Sequence, residues 1–253
     1  MKVIVAANAA EMGRLAADFV VAAVRAKPES VIVFPTGKTP TGLYKELIAR
    51  YQRGEFDPSQ LRIFLLDEYV GVGPTDPRSL QGWLQRELFT PLAIRPAQVT
   101  PLPGDAADPE QACQEYAADV QDAGGFDLAI LGLGPNGHIG YNDPPAAGDA
   151  PTRVLQLSQS SLDTCARDWG NDVPLLPLAL TAGMDLLLAA RQKLLLVSGE
   201  GKQQILRASL LGPVTPDVPA SYLQQAAGVT ILADEAATKG SLAAAIAGGT
   251  FRN

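Results

Sequence analysis

SVIVFPTGKTPTGLY, residues 30–44, decides how the rest of the chain is read. The apolar run Val31, Ile32, Val33 and Phe34 has no polar alternation, as in a strand buried on both faces. Pro35 and Gly37 then break it, and Pro40 suits the first turn of a helix. A buried strand that passes through a Gly-containing loop into a helix is the unit of an α/β sheet. The same change recurs outward from this stretch. KVIVAAN, LRIFLLDEY, FDLAILGLG, KLLLVSGE and GVTILADE read as further buried strands. Between them lie segments of helical period. Asn8 and Glu11 mark one helix start, with Met12, Leu15, Phe19 and Ala23 on one face. Asp108 and Pro109 mark another, with Ala112, Tyr116 and Val120 as its buried stripe. The alternation predicts a doubly wound, mostly parallel sheet with helices on both faces, a Rossmann-like architecture. Residues 153–182 fit it poorly, being polar with a Trp-Gly-Asn-Asp cluster, and are expected to form a mobile flap over the site.

The 253 residues suit a single domain, 1–253, because no repeat, low-complexity tract or linker divides them. With 47% apolar and 19% charged residues the composition is that of a globular protein, and no apolar run approaches a membrane span. The N-terminus reads as a first strand and helix and not as a signal peptide, which places the protein in the cytoplasm. A net charge of −7 argues against nucleic acid or an anionic membrane as partner, but leaves room for a small anion held by focused cations. Cys113 and Cys165 make neither a disulfide framework nor a metal spacing; Cys113 falls beside Tyr116 on a buried helix face.

In an open α/β sheet, ligands bind beyond the carboxyl ends of the strands. The unusual residues gather there. After Phe34, the residues Thr36, Gly37, Lys38 and Thr39 offer hydroxyls, a charge and a helix N-terminus to an anion, without Walker spacing. Asp67 and Glu68 directly follow an apolar run. Adjacent acids are usually solvated, but a desolvated carboxylate at this place can serve as a general base. In GLGPNGHIGYNDP, residues 132–144, the single histidine of the chain follows a Gly-rich turn. A lone histidine often only caps a turn; here Asp143, five residues after His138, can orient the imidazole for acid–base work. In LLLVSGEGKQQIL a second Gly-containing loop puts Lys202 into a first helical turn, an unfavourable place without a bound anion. Two such loops point to a phosphorylated small molecule. Neither a metal-ligand set nor a G-x-S-x-G elbow is present in the sequence.

Taken together, PTGKTPTGLY, LDEYVG, GLGPNGHIGYNDP, RDWGNDVPLLPLALTAGM and SGEGK resemble the glucosamine-6-phosphate deaminase/isomerase family in order and spacing, over almost the whole chain. The wider superfamily includes 6-phosphogluconolactonases and sugar-phosphate-sensing domains. The resemblance implies conversion of glucosamine 6-phosphate and water to fructose 6-phosphate and ammonia, with no metal or organic cofactor. It implies Asp67 as the base that moves a proton between adjacent carbons, and His138 as the group that opens the pyranose ring. Asn136 and Asp143 would hold the imidazole. The loop of Thr36, Gly37, Lys38 and Thr39, with Arg167 and Lys202, would bind the phosphate. Three positions depart from the family pattern. Asp143 replaces a glutamate, so the relay to His138 is expected to be stretched or water-bridged. Asn136 stands where some members have aspartate, and Lys38 replaces a small residue.

The nearest alternatives are a 6-phosphogluconolactonase, a sugar-phosphate sensor, and a deaminase or isomerase acting on galactosamine 6-phosphate. Asp67-Glu68-Tyr69 and GHIGYNDP differ from the lactonase pattern of Asp-Glu-Arg and a GHTASLFP-like run. Some family members are activated by N-acetylglucosamine 6-phosphate between subunits. Here Arg153 keeps a phosphate-binding arginine, but Ala146 and Leu155 stand where a serine and a lysine would be. The expectation is therefore a monomer or small homo-oligomer without that activation.

Overall fold

The protein is described by a computed structural model covering residues 1–169 and 176–249; the side chains of residues 164, 167–169 and 241 lie outside that description. β1 (Lys2–Ala6) leads into α1 (Ala9–Ala26), β2 (Val31–Phe34) into α2 (Thr41–Gln52), and β3 (Arg62–Leu65) into a short β4 (Asp67–Tyr69) and α3 (Leu80–Leu84). β5 (Val99–Thr100), α4 (Pro109–Asp122) and β6 (Leu128–Gly132) follow, then β7 (Arg153–Gln156), α5 (Gln159–Trp169), β8 (Leu178–Thr181) and α6 (Met184–Ala189). β9 (Gln192–Val197), α7 (Gln203–Leu211), β10 (Val229–Asp234), α8 (Glu235–Thr238) and α9 (Ser241–Ala247) complete the order.

Among the described residues, seven strands form one sheet in the order β1-β10-β9-β6-β2-β3-β5, and every pairing in it is parallel. The predicted doubly wound sheet is present. From β2 the chain winds one way through β3 and β5, and from β6 the other way through β9 and β10. The reversal falls between the neighbours β2 and β6, where such sheets bind ligands. The two faces of β2 show why the run is unbroken in sequence. Val31 and Val33 enter a core shared with α4, α6 and α7, while Ile32 and Phe34 enter the other, under α1 and α2.

Local signals place the helices. Asn8 caps α1 by accepting from the Glu11 N–H at 3.0 Å, and Asp108 caps α4 by accepting from Gln111 N–H at 2.9 Å. Ala112, Tyr116 and Val120 are buried as predicted, together with Cys113, whose thiol burial pushes up to about 11. The buried face of α1 is rotated from the prediction. It consists of Met12, Ala16, Ala17, Val20, Val21 and Val24, while Leu15, Phe19 and Ala23 sit at its rim. Small residues face the sheet and α2 because the helices pack closely; a Cβ on Gly13 would lie 2.7 Å from the Gly42 backbone.

Two readings are corrected. LRIFLLDEY is not one strand: the main sheet ends at Leu65, and after Leu66 the chain enters a second, three-stranded antiparallel sheet in the order β4-β8-β7. Residues 153–182, expected to form a mobile flap over the site because they fit the alternation poorly, carry regular elements. They supply β7 and β8 of that sheet and, between them, α5. Most of the Trp-Gly-Asn-Asp cluster lies outside the described residues.

Candidate active site

Four neighbouring strands, β9, β6, β2 and β3, end at one cleft. Its larger lobe, about 340 Å³, is bordered by the loop after β2, by Asp67, by the turn after β6 and by Lys202. A smaller lobe of about 150 Å³ adjoins it, sharing Thr36, Gly37, Lys38, His138 and Tyr141, and is walled by Leu80, Trp83, Ser161 and Cys165.

Asp67 is only 7% exposed, and its Oδ1 has no hydrogen-bond partner although buried. Burial, and then the charge of neighbouring Glu68, push its carboxyl up to about 8. The side chains around it do not relieve this. Tyr44 spends its hydroxyl on the Pro35 carbonyl, and Tyr116 spends its own on the Leu65 carbonyl at 2.7 Å. Burial, with a contribution from the Asp67 charge, raises both phenols well above their usual range, so they stay protonated. Oδ1 is therefore left to act on whatever enters the cleft.

Glu68 points elsewhere. It is 1% exposed and accepts from Tyr69 N–H, Ser79 Oγ, Leu80 N–H and Gln81 N–H at 2.7–3.0 Å. Burial keeps its carboxyl above the usual value even so. It anchors the start of α3, which carries Leu80 and Trp83 to the cleft. Neither acid is a solvated loop residue, because the second sheet and α3 cover the strand end.

His138 follows a turn closed by Gly137 N–H to the Gly134 carbonyl at 3.1 Å and Gly134 N–H to the His138 carbonyl at 3.0 Å. Gly137 has φ +88°, a conformation that only glycine adopts at low cost. The imidazole lies directly over Gly134, where a Cβ would overlap Cδ2 and Nε2. Asn142 fixes the far end of the segment, donating to the carbonyls of Ile139 and Ala182 at 3.0 and 2.9 Å.

The expected stretch in the relay is absent. His138 Nδ1 is 2.8 Å from Asp143 Oδ1 with no gap for water, because the compact turn carries the shorter acid up to the ring. A carboxylate only accepts, so Nδ1 bears the proton and Nε2 is left for chemistry. Burial alone would raise the Asp143 pKa. Hydrogen bonds from His138, Asn136 and the Ser158 N–H outweigh it and hold the carboxyl well below the usual range. Asn136 does not hold the imidazole itself. It donates to Asp143 Oδ1 at 2.9 Å and accepts from the His138 N–H at 3.2 Å.

The loop after β2 runs through Gly37, at φ +97°, into the N-terminus of α2, with Pro40 as the capping residue. Thr36, Gly37, Lys38 and Thr39 all border the larger lobe. Lys202 enters from the turn before α7 and donates to the Leu133 carbonyl at 2.6 Å, which holds its ammonium at the cleft. Asp234 braces this turn, accepting from Ser198 Oγ and from Gly199 N–H at 3.1 Å. Arg167 lies on α5, but its side chain is outside the described residues. Arg153 donates to Asn142 Oδ1 at 2.8 Å and to the Pro151 carbonyl, so it supports the histidine segment from outside the cleft.

Sequence reasoning missed several residues. Ser161 donates to both Asp143 oxygens at 2.9 and 2.8 Å, and Tyr141 donates to Tyr69 Oη at 2.7 Å in the smaller lobe. The one signal for Ser161 was the spacing to Ser158, whose Oγ accepts the Ser161 N–H as an N-cap does. Among the described residues no group of three or more His, Cys, Asp or Glu side chains is placed to hold a metal ion.

A sequence model of the family described as Glucosamine-6-phosphate isomerases/6-phosphogluconolactonase matches residues 5–233. The chain is 40% identical to glucosamine-6-phosphate deaminase 2 of Bacillus subtilis (strain 168) over 236 residues, covering 92% of this chain and 95% of that protein. It is 38% identical to the glucosamine-6-phosphate deaminase of Cellvibrio japonicus (strain Ueda107), covering 94% and 90%. Among solved structures, a monomeric glucosamine-6-phosphate deaminase superposes with a TM-score of 0.90 at 32% identity, over 96% of this chain and 100% of that one. A 6-phosphogluconolactonase from Trypanosoma brucei superposes with a TM-score of 0.76 at 18% identity, over 94% and 97%, a likeness of fold alone.

Proposed function

The chain belongs to the glucosamine-6-phosphate isomerase/6-phosphogluconolactonase family, and from that premise we propose that it is a glucosamine-6-phosphate deaminase, an enzyme of amino-sugar metabolism. The observation that carries this reading is a buried carboxyl with a free oxygen, Asp67, in one cleft with a carboxylate-oriented histidine, the loop of Thr36 to Thr39 and Lys202.

The phosphate sits between the loop of Thr36, Gly37, Lys38 and Thr39 and the Lys202 ammonium, with Arg167 as a further cation. Helix N-terminus and charge supply the positioning energy there. His138 Nε2 takes the anomeric hydroxyl proton and returns a proton to the ring oxygen, opening the pyranose to the aldehyde. The aldehyde makes the C2 proton acidic. Ionised Asp67 removes it while the C2 ammonium passes a proton to O1, giving the enolamine; Asp67 then returns its proton to C1, which leaves a protonated ketimine at C2. Water adds to that carbon and ammonia departs, leaving fructose 6-phosphate. The base works from a site whose pKa lies near neutrality, where proton transfer in both directions is fast.

Purified protein supplied with glucosamine 6-phosphate is expected to release fructose 6-phosphate and ammonia in equal amounts. It should do so faster than with galactosamine 6-phosphate, and should not hydrolyse 6-phosphogluconolactone. Lactone hydrolysis without ammonia release would reverse the assignment. The reading includes one catalytic domain in the cytoplasm, working as a monomer or small oligomer with hyperbolic kinetics. A monomeric relative and an Arg153 already committed to Asn142 support that part.

A further inference from the structure

The carboxylate of Asp143 is gripped from two sides. From its own turn it receives His138 Nδ1 and Asn136 Nδ2, both on Oδ1 at 2.8 and 2.9 Å. From α5 and the residue that precedes it, a separate element, come the Ser158 N–H on Oδ2 at 3.0 Å and the Ser161 hydroxyl, which lies 2.9 Å from Oδ1 and 2.8 Å from Oδ2. Ser161 is 1% exposed and its oxygen is also 3.4 Å from His138 Nδ1, so it occupies the angle between ring and carboxylate. A carboxylate on a single Cβ turns easily about its last bond. With only the two donors on Oδ1 it would be free to swing, carrying the imidazole with it. The hydroxyl bridging both oxygens and the amide on Oδ2 remove that freedom.

We propose that Ser161 is a positioning residue for the reaction: acting through Asp143, its hydroxyl fixes the plane of the carboxylate and thereby the direction in which His138 presents Nε2 to the sugar. This rests on the ring-opening role of His138. It makes α5 part of the relay, so the helix that walls the smaller lobe also sets the geometry of the acid–base group. A purely structural Ser161 would serve only to tie α5 to the Asp143 carboxylate, without bearing on the imidazole.

The two roles separate in a double-mutant cycle of Ser161→Ala and His138→Gln with glucosamine 6-phosphate. Ser161→Ala alone is expected to lower kcat about tenfold or more, the scale of one charge-assisted hydrogen bond, with KM changed less than about twofold. In the His138→Gln background the same change is expected to cost less than about twofold. Equal losses in both backgrounds, or no loss in the first, would overturn the proposal. The chain has one histidine, so 15N NMR of histidine-labelled protein reads His138 alone and without substrate. Ser161→Ala is expected to shift the Nδ1 resonance and speed exchange of its proton; an unchanged signal overturns the proposal whatever His138 does in catalysis. If instead His138→Gln keeps the parent's activity while the Nδ1 signal responds, the ring-opening reading falls and the positioning contact stands. Should the alanine variant not fold, Ser161→Cys, with its weaker donor, takes its place in the NMR comparison: a shifted Nδ1 signal supports the proposal and an unchanged one overturns it.

Discussion

Replacing Asp67 with Asn should remove activity and raise stability, and the gain in stability should depend on pH. The folded carboxyl titrates near 8 against an ordinary value of 3.8, because burial and Glu68 oppose its charge. An acid raised in this way stabilises the fold while protonated. That contribution is complete below the unfolded pKa and is lost as pH rises through the folded one. At pH 8 the full shift corresponds to about 5 kcal/mol against a neutral isostere. The carboxyl borders a solvent-filled cleft, so about half of this, roughly 2–3 kcal/mol, is the expected gain. At pH 5 the gain falls below about 1 kcal/mol. For a chain of this length each kcal/mol moves Tm by about 2–4 °C, so Asp67→Asn should melt roughly 5–10 °C above the parent at pH 8 and near it at pH 5. Turnover should fall by about 10²–10⁴. Thermal melts at the two pH values, with a coupled assay on the same samples, test both halves. A variant no more stable than the parent at pH 8, or equally stabilised at both pH values, would refute the account of a desolvated base.

Further outcomes concern the groups around this base. Gly134→Ala places a Cβ inside the space of the imidazole, so the ring must move by about 1 Å; kcat should fall about 10²-fold with KM little changed, measured by steady-state kinetics. Lys202→Ala removes a charge-assisted contact and should raise KM by about 10–100-fold for the phosphorylated sugar, with no such change for unphosphorylated glucosamine. Glu68→Gln turns a side chain that meets four donors into one with two donors of its own, at a cost of about 2–4 kcal/mol by denaturant melt. Removing that charge should also lower the Asp67 pKa, so the acid limb of kcat/KM moves to lower pH.

The parts of the fold that were legible in sequence are those fixed by local chemistry. Buried parallel strands carry unbroken apolar runs, so β2, β6, β9 and β10 could be placed from residue types alone. The second sheet could not. β4 has three residues and β7 and β8 have four, mixed in polarity, and β4 pairs with β8 across more than 100 positions. The hidden sheet also supplies what residue types left open about the two acids. Adjacent acids are usually solvated, and it is β8 and α3, laid over Asp67 and Glu68, that desolvate them. The pairing of His138 with Asp143 was readable because both lie in one short turn. Its 2.8 Å length was not, since that depends on Gly137 folding the turn tightly. Ser161 is 18 residues beyond Asp143, and only the docking of α5 brings them together.

The central claim is that Asp67 carries the proton between C2 and C1. Turnover of glucosamine 6-phosphate in D2O, followed by NMR, tests it directly. The parent should deliver the incoming hydrogen to only one of the two C1 positions, because a single carboxylate acts from one face: the substrate's own C2 hydrogen where transfer outpaces exchange, and deuterium at that same position where Asp67 exchanges with solvent first. Asp67→Asn, still binding substrate, should form fructose 6-phosphate about 10²–10⁴ times more slowly. Deuterium at both C1 positions, or product from Asp67→Asn within about tenfold of the parent rate, would contradict the account.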